Sequence, residues 1–302
     1  MKRITIIILI LLAVSNWMNA QSENEGATGL AFLKVGVDAR AAGMGEAFSA
    51  VTNDAYATYW NPAGLLAANK SNVVFMHNEW LLDVRSEFGA LQIAGKKSSI
   101  AFHVYSFNLS DIPVRTTPTS SPIEQTSANY ISAGVSYARK FGNKLNLGLT
   151  AKYLYEKIFV DDAGGWGIDL GLRYDVSSKL IIAGVVQNLG SMGKFREEAS
   201  ELPKIFRAGG QYHLLNSGDG FQLMLAGDVL FPFEEDARFH FGTEAGVLKN
   251  ILLRAGYMAG YEARSFTLGA GIHKSFFRLD YSYQPITEDL GDSHRFSLYL
   301  TL

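Results

Sequence analysis

Period-two alternation, repeated in segments of about ten residues, constrains this chain more than any other feature. Leu145, Leu147, Leu149, Ala151, Tyr153 and Tyr155 alternate with Asn146, Gly148, Thr150 and Lys152. Trp166, Ile168, Leu170, Leu172 and Tyr174 alternate with Gly167, Asp169, Gly171, Arg173 and Asp175. Phe221, Leu223, Leu225, Gly227, Val229 and Phe231 alternate with Gln222, Met224, Ala226 and Asp228. Phe277, Leu279, Tyr281 and Tyr283 alternate with Arg278, Asp280, Ser282 and Gln284; Phe296, Leu298, Leu300 and Leu302 close the chain against Arg295, Ser297, Tyr299 and Thr301. Successive strand residues point to opposite faces, so each segment presents one apolar and one polar face. The pattern predicts strands at 71–80, 86–96, 98–107, 129–140, 144–156, 166–176, 179–188, 204–215, 220–231, 237–248, 250–260, 263–272, 276–285 and 294–302. The segment 179–188 alternates poorly, which leaves its facing open.

A half-buried soluble sandwich also alternates. Three features favour an all-β transmembrane antiparallel barrel of about 14 strands instead. The strands have the length that crosses a bilayer when tilted. The apolar face often begins or ends in Tyr, Trp or Phe, as interfacial girdles do. The opposite face carries Asp169, Arg173, Arg207, Asp228, Arg254, Arg278 and Asp280, charges too costly for a dry core but suited to a wet or filled lumen. Closure also removes the sheet edges that lipid does not tolerate. Tight turns at Lys97, Gly142-Asn143, Ser177-Ser178, 216–219, Lys249 and Lys274-Ser275 alternate with longer connections at 108–128, 157–165, 189–203 and 286–293. Such asymmetry sets short turns in the periplasm and loops outside. An even strand count then puts both termini on the periplasmic side.

The start of the chain fits that destination. Lys2 and Arg3 precede an apolar run at 4–14 and a more polar exit ending at Ala20. At about 11 residues the run is too short to span a bilayer and reads as a secretory signal peptide over 1–20. Its removal leaves 25 basic against 29 acidic side chains, a net charge of −4, with no electrostatic pull toward nucleic acid. The chain has no cysteine, so a large sheet or a bilayer must do what disulfides do in many secreted domains.

Residues 21–68 are the least strand-like part of the mature chain and precede a barrel over 69–302. They read as a plug, or hatch. Gly43 and Gly45 permit positive φ and close approach in a crowded lumen. Pro62 forces Asn61 out of helix and fixes a turn, and Arg40 and Asp54 are candidates to pair with inward wall charges. The competing reading is an exposed periplasmic arm with a local helix at 46–52. Phe32-Leu33-Lys34-Val35-Gly36, then Asp38-Ala39-Arg40-Ala41-Ala42-Gly43-Met44-Gly45, then Asp54-Ala55, then Tyr59-Trp60-Asn61-Pro62-Ala63-Gly64-Leu65 together resemble the PorV/PorQ family of outer-membrane proteins. That family looks related to the FadL transporters, with fourteen strands and an N-terminal hatch. The resemblance implies an outer membrane of a Gram-negative bacterium. It also implies a non-enzymatic part in type IX protein secretion, with outer-membrane lipid, secretion-pathway proteins and secreted cargo as partners. The loops 108–128 and 286–293 are the expected contact surfaces.

The FadL likeness implies an alternative, uptake of a small hydrophobic ligand. Trp80-Leu81-Leu82 and Ile112-Pro113-Val114 would offer a landing site, and the Gly-rich stretches 164–167 and 209–210 a wall defect. No catalytic or metal signature competes. The six His residues form no HxH or HxxxH set, and no cysteine completes a zinc site. Gly43-x-Gly45-x-x-Phe48 lacks the third glycine of a dinucleotide loop. No G-x-S-x-G elbow is present, and no cofactor is expected. His213 and His240 fall on inward faces as lumen polar residues. Asp161-Asp162 and Glu234-Glu235-Asp236 read as solvated loop charge.

Overall fold

The computed structural model describes residues 28–81, 84–115, 122–195, 197–216, 221–287 and 291–302. The expected leader at 1–20 lies outside them. Among the described residues sixteen strands follow the N-terminal segment: β1 (Asn72–Glu79), β2 (Arg85–Ile93), β3 (Ser98–Val114), β4 (Glu124–Phe141), β5 (Leu145–Ile158), β6 (Asp161–Asp175), β7 (Leu180–Met192), β8 (Lys194–Phe195), β9 (Glu198–Ala199), β10 (Ile205–Asn216), β11 (Gln222–Pro232), β12 (Arg238–Leu248), β13 (Ile251–Ala259), β14 (Phe266–Lys274), β15 (Phe277–Pro285) and β16 (Asp292–Thr301). Fourteen of them close an antiparallel barrel in sequence order, while β8 and β9 form a separate small hairpin between β7 and β10. The closing seam pairs β1 with β16 from Asn72↔Thr301 to Glu79↔His294.

The facing follows the alternation. Phe75, Phe102, Val104, Leu149, Tyr153, Trp166, Leu225, Phe241, Leu253, Leu268 and Phe296 point outward and are exposed to what surrounds the barrel. Their inward neighbours are buried, so the core sits inside the barrel. Leu30, Phe32, Val37, Met44, Phe48, Val51, Tyr56 and Trp60 of the N-terminal segment pack there against Val74, Met76, Phe88, Tyr105, Leu154 and Met224 of the wall. Residues 30–67 carry short helical pieces at Ala31–Lys34, Ala39–Gly43, Ala57–Trp60 and Pro62–Ala67. The expected alternative of an exposed arm with a helix at 46–52 is overturned: 46–52 is turn and coil, with Ala47, Phe48 and Thr52 at 0% exposure.

Two expectations about loops are also corrected. The connection 108–128 is largely strand, because β3 and β4 stay paired past Leu109↔Ala128 to Val114↔Glu124. The connection at 157–165 shrinks to Phe159 and Val160, since β5 and β6 pair out to Ile158↔Asp161. Asp161 and Asp162 are therefore the start of β6, not loop. Continuous cross-strand pairing there, Lys157↔Asp162 and Glu156↔Ala163 included, outweighs the irregular local pattern. The wall at β3 and β4 is 17 and 18 residues long against eight and nine at β1 and β2, so the barrel is much taller on one side. The segment 179–188, ambiguous in sequence, buries Ile181, Ala183, Val185 and Gln187 and turns Ile182 outward.

The N-terminal segment also has a direction. Its last residues lie at the short-turn end, where Gln92 Nε2 donates to the Leu65 carbonyl at 2.5 Å and the Leu302 amide donates to Ser71 at 2.8 Å. Its first described residues lie at the opposite, long-loop rim, where Phe32 stacks on Tyr130 and Lys34 reaches Glu235 between β11 and β12. The start of β1 and the end of β16 share the short-turn end, as an even count requires. The chain ahead of β1 crosses the lumen to the other rim.

Candidate functional site

The candidate site is the lumen, where the N-terminal segment meets the wall. An unbroken series of alternating charges runs through it. Arg40 donates from Nε and Nη2 to the two oxygens of Glu244 at 2.7 and 2.8 Å, and from Nη1 to Asn53 at 3.0 Å. Glu244 also accepts from Arg254 Nε at 2.7 Å. Arg254 Nη1 contacts Asp280 at 2.8 Å. Asp280 accepts from Arg278 Nε at 2.6 Å, and Arg278 Nη2 donates to Asp54 at 3.0 Å. Arg40 and Asp54 both belong to the N-terminal segment, so the series leaves it, crosses β12, β13 and β15, and returns. Three cations match three anions, which is how buried charge is tolerated.

Backbone groups of the segment are met by wall charges. Asp228 accepts the Phe48 and Ser49 amides at 3.1 and 3.0 Å and the Ser49 hydroxyl at 2.8 Å. Arg207, 3.6 Å from Asp228, donates to the Glu46 carbonyl at 3.1 Å and lies 4.9 Å over the Trp60 ring. Arg173 donates to the Ala50 carbonyl at 2.8 Å. These contacts satisfy turn groups that have no ladder partner. Asp169 bonds within the wall: it accepts from Lys152 Nζ at 2.9 Å and from the Asn188 amide at 2.7 Å, holding a bulge there. His240 is fully buried and bonds Tyr261 at 2.9 Å.

The motif at 59–64 is a turn built from its own side chains. Trp60 Nε1 donates to the Val37 carbonyl at 3.0 Å. Asn61, with extended φ, accepts the Ala63 amide at 3.0 Å and donates to the Ser49 and Leu172 carbonyls at 2.9 and 3.2 Å. Pro62 begins the following 3-10 turn, and Gly64 lies against Thr52. Gly43 meets Gly269 backbone to backbone, where a Cβ would fall 2.8 Å from the Gly269 Cα. Gly45 has φ +61, and a Cβ there would fall 2.8 Å from both the Phe241 carbonyl oxygen and the Tyr257 amide nitrogen. The segment reaches the wall only because glycine faces glycine.

Lys34 and Glu235 fasten the segment at the rim, 2.6 Å apart, with Arg238 also on Glu235. Partial burial opposes ionisation of Glu235, but the Lys34 hydrogen bond and the Arg238 charge hold its carboxyl below the ordinary range. Glu244, Glu46, Lys152 and Glu235 are the partners that sequence reasoning missed. Inward parity with His240 was the available signal for Glu244.

The expected wall defects at 164–167 and 209–210 are corrected. Both stretches pair continuously, 164–167 with β5 and 209–210 with β7 and β11. The interruption lies instead beyond Gln187, where the β7–β10 ladder ends at Ile205↔Gln187. The cause is local: Asp169 faces both Gln187 and Asn188, since Ile168 pairs Leu189 and Leu170 pairs Val186, and Asn188 takes φ +63. Asn188 Nδ2 bridges to the Pro203 carbonyl at 2.7 Å, and proline has no amide to extend the ladder. Beside this step a lipid-facing groove of about 520 Å³ is lined by Leu149, Trp166, Ile168, Leu170, Leu189 and Gly190. Of the expected landing residues, Trp80 lies under Arg264 at 5.5 Å, Ile112 to Val114 belong to β3, and Leu82 is outside the described residues.

A closed fourteen-stranded antiparallel barrel, apolar outside and charged within, defines an outer-membrane β-barrel protein. Residues 18–177, more than half of the chain, match the family described as Type IX secretion system protein PorV, and the chain belongs to that family. No curated protein sequence matches it significantly. Solved structures share the fold. The CymD monoaromatic hydrocarbon channel superposes with a TM-score of 0.64 at 13% identity, covering 89% of this chain and 98% of that one. The Pseudomonas putida toluene transporter TodX gives 0.58 at 11%, covering 87% and 96%. A Pseudomonas aeruginosa FadL homologue gives 0.53 at 11%, covering 87% and 97%.

Proposed function

We propose that this chain is a non-enzymatic outer-membrane component of type IX secretion, binding secretion-pathway proteins and cargo at its long-loop end, with residues 21–68 as an interior plug. The observation that carries the reading is the family match over residues 18–177, which spans the described plug and β1 to β6 in full. The shape supports it. A strand needs about ten residues to cross the bilayer, so much of β3 and β4 stands clear of it. The rim there exposes Ile123, Phe159 and Val160 at 64%, 44% and 66%, which suits protein contact. Short turns face the periplasm in this reading, and the described start of the plug lies at the outer rim.

The test is deletion of the gene while following cargo that carries a type IX sorting domain, with crosslinking from Phe159 in the complemented strain. Loss of cargo from the surface and a crosslinked secretion protein are expected. Normal secretion with no crosslinked partner refutes the reading.

Uptake of a small hydrophobic compound is the second reading. The ended β7–β10 ladder beside an apolar groove favours it, because a ligand could pass between bilayer and barrel there. Native mass spectrometry after gentle extraction should then find a retained hydrophobic molecule, lost when the groove is filled by Gly190→Phe.

A further inference from the structure

Arg295 on β16 is 1% exposed. Among the described residues its Nε, Nη1 and Nη2 have no hydrogen-bond partner. The lumen's other arginines fare better: Arg40, Arg173, Arg207, Arg254 and Arg278 each donate at least one hydrogen bond of 3.1 Å or less. The carboxylate paired with Arg295 is Glu46, whose Oε1 lies 4.0 Å away and is itself unpartnered. Arg264, between β13 and β14, is within electrostatic range of Arg295. It has a buried Nη1 without a partner and lies 4.3 Å over Tyr261. Asp228 lies 3.6 Å from Arg207, which leaves Glu46, at 4.0 Å, as the carboxylate beside Arg295.

A buried guanidinium with no protein acceptor is costly, and its planar fork matches a carboxylate or phosphate group. The phenols of Tyr59 and Tyr105 stand close to Arg295. Both are tied to the Val35 carbonyl, at 3.0 and 3.1 Å, so residues 33–36 of the plug border the site. We propose that Arg295, with Arg264 beside it, forms a buried oxyanion site in the lumen that takes the carboxylate or phosphate group of a ligand entering from the long-loop end. Recognition is by charge and fork geometry, with aromatic walls around it. The site stands independently of the secretion role.

The purified barrel, refolded in detergent and checked by heat-modifiable gel mobility, is titrated with inorganic phosphate and with hexyl phosphate at constant ionic strength. The midpoint of thermal unfolding is followed. Wild type should show a saturable rise that Arg295→Gln abolishes. Glu46→Gln, which removes a competing negative charge about 4 Å away, should bind about tenfold tighter. Should Arg295→Gln fail to fold, Arg264→Gln carries the test and should weaken binding several-fold. Hexyl phosphate binding at least tenfold tighter than phosphate identifies an amphiphile's head group as the source. Equal binding identifies a free oxyanion. A flat wild-type response, or one that persists in the arginine variants, overturns the site. Loss of stability in Glu46→Gln with no anion effect does the same, because Arg295 and Glu46 are then a water-bridged structural pair.

Discussion

Replacing Glu244 by Gln should destabilise this barrel strongly. Glu244 accepts two hydrogen bonds from Arg40 and one from Arg254, all at 2.7 to 2.8 Å. The side chains of Arg40 and Arg254 are 9% and 0% exposed. The amide keeps one acceptor oxygen; placed where Oε2 was, it retains the bonds from Arg40 Nε and Arg254 Nε and loses the one from Arg40 Nη2, worth about 1.5–3 kcal/mol as a charged bond. Its NH₂ group then faces a guanidinium. Breaking a buried pair from one side costs about 3–5 kcal/mol, so a loss near 4 kcal/mol is expected, about a thousandfold in the unfolding equilibrium. Reversible urea unfolding in phospholipid vesicles, followed by tryptophan fluorescence, measures it. Arg40→Met keeps the side-chain stem and removes the head, and the double variant gives the coupling, expected near 2 kcal/mol. A loss below about 1 kcal/mol, or coupling within about 0.5 kcal/mol of zero, would show that water already screens the series and that it does not anchor the N-terminal segment.

Three further outcomes are expected. Gly45 and Gly142 share φ +61, but a Cβ at Gly142 meets nothing within 4 Å. Gly142→Ala should therefore cost only about 1 kcal/mol of backbone strain, while Gly45→Ala should cost clearly more in the same unfolding assay; equal costs would refute the close approach to the wall. The Lys34–Glu235 contact should be complete above the unfolded carboxyl range, about pH 4.3, and be lost as pH falls through the depressed folded value of Glu235. A spin label at the exposed Ala31 should gain mobility on that acid descent, and Glu235→Gln should be mobile throughout. Hydrogen exchange should be faster for residues 189–192 of β7 than for 180–187, because the β10 ladder covers only the latter; uniform protection would refute the interruption.

The missed partners show where reading stops. Glu244 sits in a Gly- and Ala-rich strand whose alternation is faint, and its role depends on Arg40, 204 residues away. Asn188 was unreadable for a different reason. A bulge places two neighbours on one face, and no period-two pattern can announce that. The length of β3 and β4 escaped because their outer halves are stabilised by each other and not by a bilayer-facing apolar repeat.

By itself the sequence determined which residues face inward on most strands, how many strands close the barrel, and that a Gly- and Ala-rich segment precedes them. Those properties are local: period two sets a face, and lipid outside enforces one apolar side along the whole wall. Only the tertiary structure decided which charge meets which. Pairing in the lumen depends on stagger around the closed sheet and on the path of residues 30–67 through it, and neither is encoded in any short window. The same reason governs the two least expected features. The segment climbs from the short-turn end to the far rim because its buried side chains fill a closed volume, and Arg295 has no hydrogen-bond acceptor among the described residues because the closed wall and the segment together decide what reaches it.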